Sequence, residues 1–305
     1  MRETRRLIGE EGLIGTLFYP ATSGAHPAVI VLGGAGGGLR EGGAEALAWE
    51  GFAALALVYF GVDPLPRELV EVPLEYFERA IAWLKAQPDV DANRIAVVGN
   101  SKGGELALLL GATYPEDIKA VVGYAPSGIV WQGIPFDREA YYGGPRSPWS
   151  LGGEPLPFVR LARPLAPDMV QMMGSFFGSP PAIGPIFYER ALEDKAAVAA
   201  ASIAVEKIDG PVLVISGTDD QVWPATRLSE MVIERLQAHD HPFTYEHLRY
   251  EGAGHMITPP RSKPETRWTS RLEVGGSQEA DEFANADSWS KVLDFLNDHL
   301  KHRAG

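Results

Sequence analysis

Three residues far apart in the chain carry the side chains that nucleophilic acyl chemistry needs: Ser101, a carboxylate at Asp219 or Asp220, and His255. Ser101 is the centre of Gly99-Asn100-Ser101-Lys102-Gly103. In that G-x-S-x-G spacing a sharp turn holds the serine in a strained conformation, and the flanking glycines let neighbouring backbone pass close by. A helix starting at the turn would aim its N-terminus at the serine. The Lys102 amide and the helix dipole could then stabilise the negative charge that develops when the hydroxyl attacks a carbonyl. The competing reading is a glycine-rich turn with a capping serine; the apolar strand before the motif and the apolar helix after it weigh against that reading.

The acid and the base occur in matching contexts. Pro211 to Ser216 (PVLVIS) reads as a strand that delivers Gly217-Thr218-Asp219-Asp220 at its carboxyl end. Either acid follows closely enough to reach a histidine, and turn formation is the alternative use for both. Of the seven histidines, His255 alone follows a glycine-rich turn, Gly252-Ala253-Gly254, at the carboxyl end of a strand. The order serine, acid, histidine is that of α/β-hydrolases rather than of the other serine-protease folds. In such a triad the histidine takes the serine proton while the carboxylate orients the imidazole, with no need for a metal or cofactor.

A second feature could supply the remaining donor. Ala28 to Leu32 (AVIVL) is apolar on every residue and runs into Gly33-Gly34-Ala35-Gly36-Gly37-Gly38. This loop matches neither the phosphate-binding pattern G-x-x-x-x-G-K-[ST] nor the dinucleotide fingerprint. An oxyanion-hole loop fits better, with Ala35 as the first candidate donor and Gly34 as the second. A flexible turn is the competing reading.

The elements that must position these residues follow from periodicity. Arg5 to Ile8 and Leu13 to Tyr19 flank Gly9-Glu10-Glu11-Gly12 and read as antiparallel edge strands. Phe52 to Tyr59, Ile95 to Val98, Lys119 to Tyr124, Pro211 to Ser216 and Phe243 to Arg249 read as further strands, for eight in all. Between them lie predicted helices at Glu41 to Glu50, Leu74 to Ala86, the stretch after Ser101, and Arg227 to Leu236, with Ala191 to Ala201 and Ala286 to His299 as two more. The alternation predicts an α/β fold with a mostly parallel eight-stranded sheet, helices on both faces, and a site at the carboxyl ends of the strands. From about 126 to 190 the alternation lapses and Pro, Gly and aromatic residues crowd together. That segment is expected to be a cap inserted in a single hydrolase domain, with Trp149 and Phe176 lining the acyl site.

Composition narrows the function classes. The chain has 305 residues, 45% of them hydrophobic, and a formal charge of −13. That balance argues against nucleic acid or an anionic membrane as partner, since both need an extended basic face. The absence of cysteine removes disulfide frameworks, thiolate metal sites and cysteine nucleophiles. No stretch has the apolar length of a signal peptide or a membrane span, so the expected location is cytoplasmic.

Taken together, Gly33-Gly34-Ala35-Gly36-Gly37, Ala54 to Gly61 (ALALVYFG), Gly99 to Glu105 and Ser216-Gly217-Thr218-Asp219-Asp220 with Trp223-Pro224 carry a family resemblance. So do Gly252-Ala253-Gly254-His255 with Pro259-Pro260, Gly275-Gly276, and Asp287-Ser288-Trp289. The sequence resembles the C-terminal hydrolase region of the acyl-CoA thioesterase and bile acid-CoA:amino acid N-acyltransferase family, and dienelactone hydrolases are similar in architecture. The resemblance implies a Ser101-Asp220-His255 triad, with Asp220 preferred because the family's acid sits three residues after the glycine. It also implies a small-molecule acyl substrate, with an acyl-CoA thioester ahead of a plain carboxylester. Two departures stand out. Eukaryotic members carry a β-sandwich domain ahead of the hydrolase, which is not expected here. The family's amino-acid transferases carry cysteine where this chain has Ser101, which favours hydrolysis over transfer. A polyanionic CoA would meet repulsion from the −13 charge unless cations such as Arg138, Arg146, Arg261 or Lys263 line the entrance. Glu105, in the first turn of a helix, reads as a carboxylate favoured by the dipole. Lys102 is expected to act through its amide alone. A binding-only role is the remaining alternative, and an intact triad weighs against it.

Overall fold

A strand that is apolar on every residue must be covered on both faces, and several such runs form the middle of one sheet. The structure, a computed structural model, describes residues 4–6, 9, 12–135, 144–168, 184–260 and 273–301. In chain order its elements are β1 (Thr4–Arg6), β2 (Ile14–Phe18), β3 (His26–Leu32), α1 (Glu41–Trp49), β4 (Ala53–Val58), β5 (Val72–Pro73), α2 (Glu75–Lys85), β6 (Val90–Asn100), α3 (Lys102–Thr113) and β7 (Ile118–Tyr124). There follow β8 (Trp149–Leu151), β9 (Glu154–Pro155), α4 (Gly184–Ala191), α5 (Lys195–Ala201), β10 (Val212–Gly217), α6 (Ala225–Ala238), β11 (Tyr245–Tyr250) and α7 (Gln278–Leu296).

Eight strands form the main sheet in the order β1-β2-β4-β3-β6-β7-β10-β11. β1 and β2 are antiparallel, as the hairpin reading required, and every pairing from β4 to β11 is parallel. Alternate side chains of the strands enter opposite layers. Ile30, Leu32, Leu55 and Val97 pack with Phe77 and Ile81 of α2, Leu106 of α3 and Val232 of α6. Val29, Val31, Ala54, Ala56 and Val98 pack on the other face with Leu47 of α1 and Val292 and Phe295 of α7. The sheet is therefore covered on both faces, and β3, β6 and β10 end on one side of it. Among the described residues no helix is long and apolar enough to cross a membrane.

Several boundaries differ from the sequence expectations. The run Ala191 to Ala201 is two helices, because Asp194 caps a new start by accepting the Ala197 amide at 3.0 Å. The last long helix begins at Gln278, eight residues before the expected Ala286, where the Ser277 hydroxyl accepts the Ala280 amide at 3.2 Å. β6 reaches back to Val90, well ahead of Ile95. A small second sheet, β5-β8-β9, had no sequence signal, since two- and three-residue ladders show no period.

Of the expected cap, residues 126–135, 144–168 and 184–190 are described. Trp131 and Val159 form a bridge, and both pack in a third apolar cluster with Ala191, Val198, Trp223 and Leu228. Phe176, Arg138, Arg261 and Lys263 lie outside the described residues.

Candidate active site

β6 ends at Asn100 and α3 starts at Lys102, so Ser101 alone makes the turn, with φ 54° and ψ −123°. The Ser101 amide donates to the Tyr124 carbonyl on β7 at 2.8 Å, and its carbonyl accepts from Gly104 and Glu105 at 2.8 and 3.0 Å. Only glycine fits on either side. A Cβ on residue 99 would stand 1.9 Å from the Gly103 carbonyl oxygen, and one on residue 103 would stand 2.4 Å from that of Gly33.

The acid and base loops meet the serine from β10 and β11. Asp220 is buried; its Oδ1 accepts the Val222 and Trp223 amides at 2.9 and 3.2 Å, and its Oδ2 lies 2.6 Å from His255 Nδ1. Its Oδ1 already takes two amides and its Oδ2 faces the ring nitrogen as an acceptor, so Nδ1 carries the hydrogen. Nε2, left as an acceptor, is 3.0 Å from Ser101 Oγ. The Trp223 ring stands edge-on to the imidazole at 6.0 Å and limits its tilt. The structure thus brings Ser101, Asp220 and His255 into one hydrogen-bonded line.

Asp219 has a different neighbourhood. Its Oδ2 accepts the Gly276 amide at 2.9 Å and its Oδ1 the Gln221 side-chain amide at 2.6 Å. The 273–277 segment ties both loops together, because the Val274 carbonyl accepts from His255 at 2.8 Å and from Gln221 at 3.4 Å. Asp281 Oδ1 adds a bond from the Gly254 amide at 2.8 Å. Gly275 has φ 71°, and a Cβ there would stand 1.7 Å from the Asp219 carbonyl oxygen.

Gly34 lies against Ser101: a Cβ on it would be 3.2 Å from Ser101 Cβ. The loop is fixed from below by Tyr59, whose buried hydroxyl donates to the Gly33 carbonyl at 2.5 Å. Gly34 thus lies beside Ser101, and Lys102, first residue of α3, follows it directly in the chain. An amide at that helix position has no intrahelical carbonyl to donate to.

The side chain of Lys102 is buried with Glu105. Its Nζ donates to both Glu105 carboxylate oxygens, at 2.9 and 2.8 Å, and to the Trp131 carbonyl at 2.9 Å. Burial pushes the lysine pKa down and the glutamate pKa up, each shift opposed by the charge of the partner. Glu105 also accepts the Trp149 indole N–H at 2.9 Å. Trp149 is 0% exposed and packs against Tyr59 and Phe77. This corrects the expectation that Trp149 lines an acyl site, since no part of its surface is open to a ligand. Its position in β8, beneath the elbow helix, explains the difference. Arg146, offered as a possible cation for CoA, is engaged by Glu71, with Nε 2.9 Å from Oε1.

Sequence reading missed Tyr59, the Lys102–Glu105 pair as a buried unit, and the Val274 carbonyl. The pair had one available signal: two opposite charges three apart at the head of a helix that is otherwise apolar. Tyr188 of α4 stacks edge-on to Trp131 and to Trp223, at 4.7 and 5.8 Å, so described parts of the 126–190 segment reach the tryptophan that stands beside His255.

The family model for BAAT / acyl-CoA thioester hydrolase C terminal matches residues 72–155 and 182–302, more than half of the chain. The chain belongs to that family. Among curated relatives of this BAAT / acyl-CoA thioester hydrolase chain, mouse mitochondrial acyl-coenzyme A thioesterase 2 is 30% identical over 97% of this chain and 60% of its own. Mouse peroxisomal succinyl-coenzyme A thioesterase is 31% identical over 97% of this chain and 66% of its own. Rat acyl-coenzyme A amino acid N-acyltransferase 2 is 31% identical over 99% of this chain and 67% of its own. The chain thus spans about three fifths to two thirds of the length of these relatives. Among solved structures, a dienelactone hydrolase-like promiscuous phosphotriesterase from metagenomic libraries superposes with a TM-score of 0.56 at 19% identity, covering 97% of this chain and 98% of that one. An α/β hydrolase from Penicillium gives 0.55 at 19%, covering 98% and 99%. The family member described here therefore has the α/β-hydrolase fold.

Proposed function

We propose that this chain is a serine hydrolase that cleaves acyl-CoA thioesters through a Ser101 acyl-enzyme with water as acceptor. The observation that carries the reading is the line Asp220 Oδ2, His255, Ser101 Oγ, with separations of 2.6 and 3.0 Å. In the first half-reaction Ser101 Oγ attacks the thioester carbonyl while His255 Nε2 takes its proton. The oxyanion is met by the Lys102 amide on one side and by Ala35 or Gly34 on the other. The C–S bond breaks and His255 returns the proton to the leaving sulfur. Water then repeats the sequence on the acyl-enzyme, with His255 acting first as base and then as acid.

The choice of thioester rests on the family and on relatives named as acyl-coenzyme A thioesterases. Serine at 101, where the family's amino-acid transferases are expected to carry cysteine, supports water as acceptor over an amine. Acyl small molecules are the partners, in a single hydrolase domain with a cap over 126–190. The cytoplasmic address is part of this reading, although relatives carry mitochondrial and peroxisomal names. A carboxylesterase acting on uncharged esters or lactones is the second reading. It is favoured by the formal charge of −13 and by Arg146 being held by Glu71.

Labelling with a fluorophosphonate tests the nucleophile: attachment at Ser101 is expected, and its absence would return the chain to a binding role. The ratio of kcat/KM for an acyl-CoA to that for an uncharged ester of the same acyl chain, at two ionic strengths, tests the substrate. An ester preference of about tenfold, roughly 1.4 kcal/mol in transition-state stabilisation, would remove the CoA assignment and leave the serine hydrolase standing.

A further inference from the structure

A buried ion pair directly behind the nucleophile calls for a reason. Lys102 is 4% exposed and Glu105 0%. Withdrawing two charges from water is costly, and well-packed apolar residues often serve stability equally well. Here the pair is fully wired. The ammonium group has three hydrogens, and three acceptor atoms surround it: both Glu105 oxygens and the Trp131 carbonyl. The carboxylate in turn accepts the Trp149 indole at 2.9 Å and the Trp131 amide at 3.3 Å.

The wiring reaches both walls that would face an oxyanion. Lys102 is the residue whose amide follows Ser101, so its side-chain anchors restrain the donor itself. Trp149, bonded to Glu105, lies 5.9 Å from the Tyr59 ring, and Tyr59 holds the Gly33 carbonyl of the opposite loop. One continuous chain of contacts therefore runs Gly33, Tyr59, Trp149, Glu105, Lys102, the last of these adjoining Ser101 in the chain.

We propose that the Lys102 side chain, clamped by Glu105, Trp131 and Trp149, is a positioning device that fixes the spacing of the two donor walls of the oxyanion hole. The proposal rests on the serine-hydrolase reading for its kinetic consequence, and on geometry alone for its structural one. The clamp is neutral as a whole, so it acts by rigidity and contributes no net charge to the site.

The decisive variant is Lys102→Met/Glu105→Gln, which removes both charges, keeps an acceptor for the Trp149 indole and leaves no unpaired buried ion. It is expected to fold and to melt within about 5 °C of the parent. Its kcat is expected to fall about 10- to 100-fold with KM within about twofold, because a displaced donor costs transition-state binding and little ground-state binding. A double variant with parental kcat and parental stability would overturn the proposal. Trp149→Phe is the second variant, should the first not fold; it keeps an aromatic ring and removes only the indole donor. It should lower kcat in the same direction, and full kcat would count against the clamp. Hydrogen exchange at amides 102–105 gives a readout independent of substrate. Faster exchange in either variant supports the clamp, and unchanged exchange in both overturns it. Failure of the parent to react with a fluorophosphonate would sink the hydrolase reading, and exchange would still decide the clamp.

Discussion

The Gly276 amide donates to Asp219 Oδ2 at 2.9 Å, whereas Asp220, one residue on, faces His255. The two acids have therefore divided the work of one loop. Asp219 ties the acid loop to the 273–277 segment, and Asp220 alone can hold the hydrogen on His255 Nδ1. Asp220→Asn is expected to lower kcat by roughly 10³-fold or more, since an amide at that place stabilises the wrong tautomer. Asp219→Asn should cost less than about tenfold, because the new side chain keeps one acceptor oxygen for the Gly276 amide. Steady-state kinetics on the two proteins decides, and a larger loss for Asp219→Asn would reassign the acid.

Ser101→Ala and His255→Ala should each lower turnover by roughly 10⁴-fold or more, and the double variant should be little worse than either. The reason is that every proton His255 Nε2 moves in the proposed mechanism serves a bond made or broken at Ser101 Oγ, 3.0 Å away, so neither side chain works without the other. Multiplicative losses in the double variant would show that the two side chains act separately.

The backbone crossing at the elbow makes a stability prediction. Gly99→Ala would place a methyl 1.9 Å from the Gly103 carbonyl oxygen, where backbone and not a movable side chain must yield. A loss of at least about 3 kcal/mol is expected in denaturant unfolding, if the variant folds at all. A loss under about 1 kcal/mol would mean that the turn is looser than the contact implies.

His247 lies beneath the acid loop, its Nε2 2.7 Å from Ser216 Oγ, and Ser216 in turn contacts Thr226 at 3.0 Å. Burial, with Arg249 nearby, lowers its pKa from 6.5 to about 4. A histidine kept neutral by folding binds fewer protons in the native state than in the unfolded one between those two values. Its contribution is complete above pH 6.5 and is lost as pH falls through about 4. Stability should therefore decline across that window, with a slope below about 1.4 kcal/mol per pH unit because the ring is partly exposed. His247→Gln should flatten the decline in urea titrations at several pH values; an unchanged slope would assign it to other groups.

Much of this architecture is readable from particular residues. AVIVL at 28–32 and VLVI at 212–215 announce central strands, because a run with no polar side chain suits a strand covered on both faces. Ser101 and His255 stand out because each follows a strand through glycines. Other parts resisted for physical reasons. Aromatic density alone places Trp149 at an acyl site, whereas its partner Glu105 lies 44 positions away and its strand is three residues long. The start of α7 carries a weak signal in the sequence, because Phe283, near its beginning, is apolar yet 64% exposed, off the buried stripe. The break at 192–194 hides inside an alanine-rich run whose propensity favours unbroken helix. Whether Asp219 or Asp220 serves the histidine depends on which way each carboxylate turns, a matter settled by loop contacts rather than by spacing.

Ser101 sits at φ 54°, a conformation that side-chain-bearing residues adopt only under constraint, at a cost of about 1 to 3 kcal/mol. Glycine would tolerate that backbone without strain. Any laboratory evolution of this chain that rewards heat resistance alone would thus find a route through Ser101→Gly, gaining robustness by erasing the proposed nucleophile. Selection for durability and selection for turnover pull this one codon in opposite directions, so a thermostable lineage would need an activity screen at every round to keep its serine.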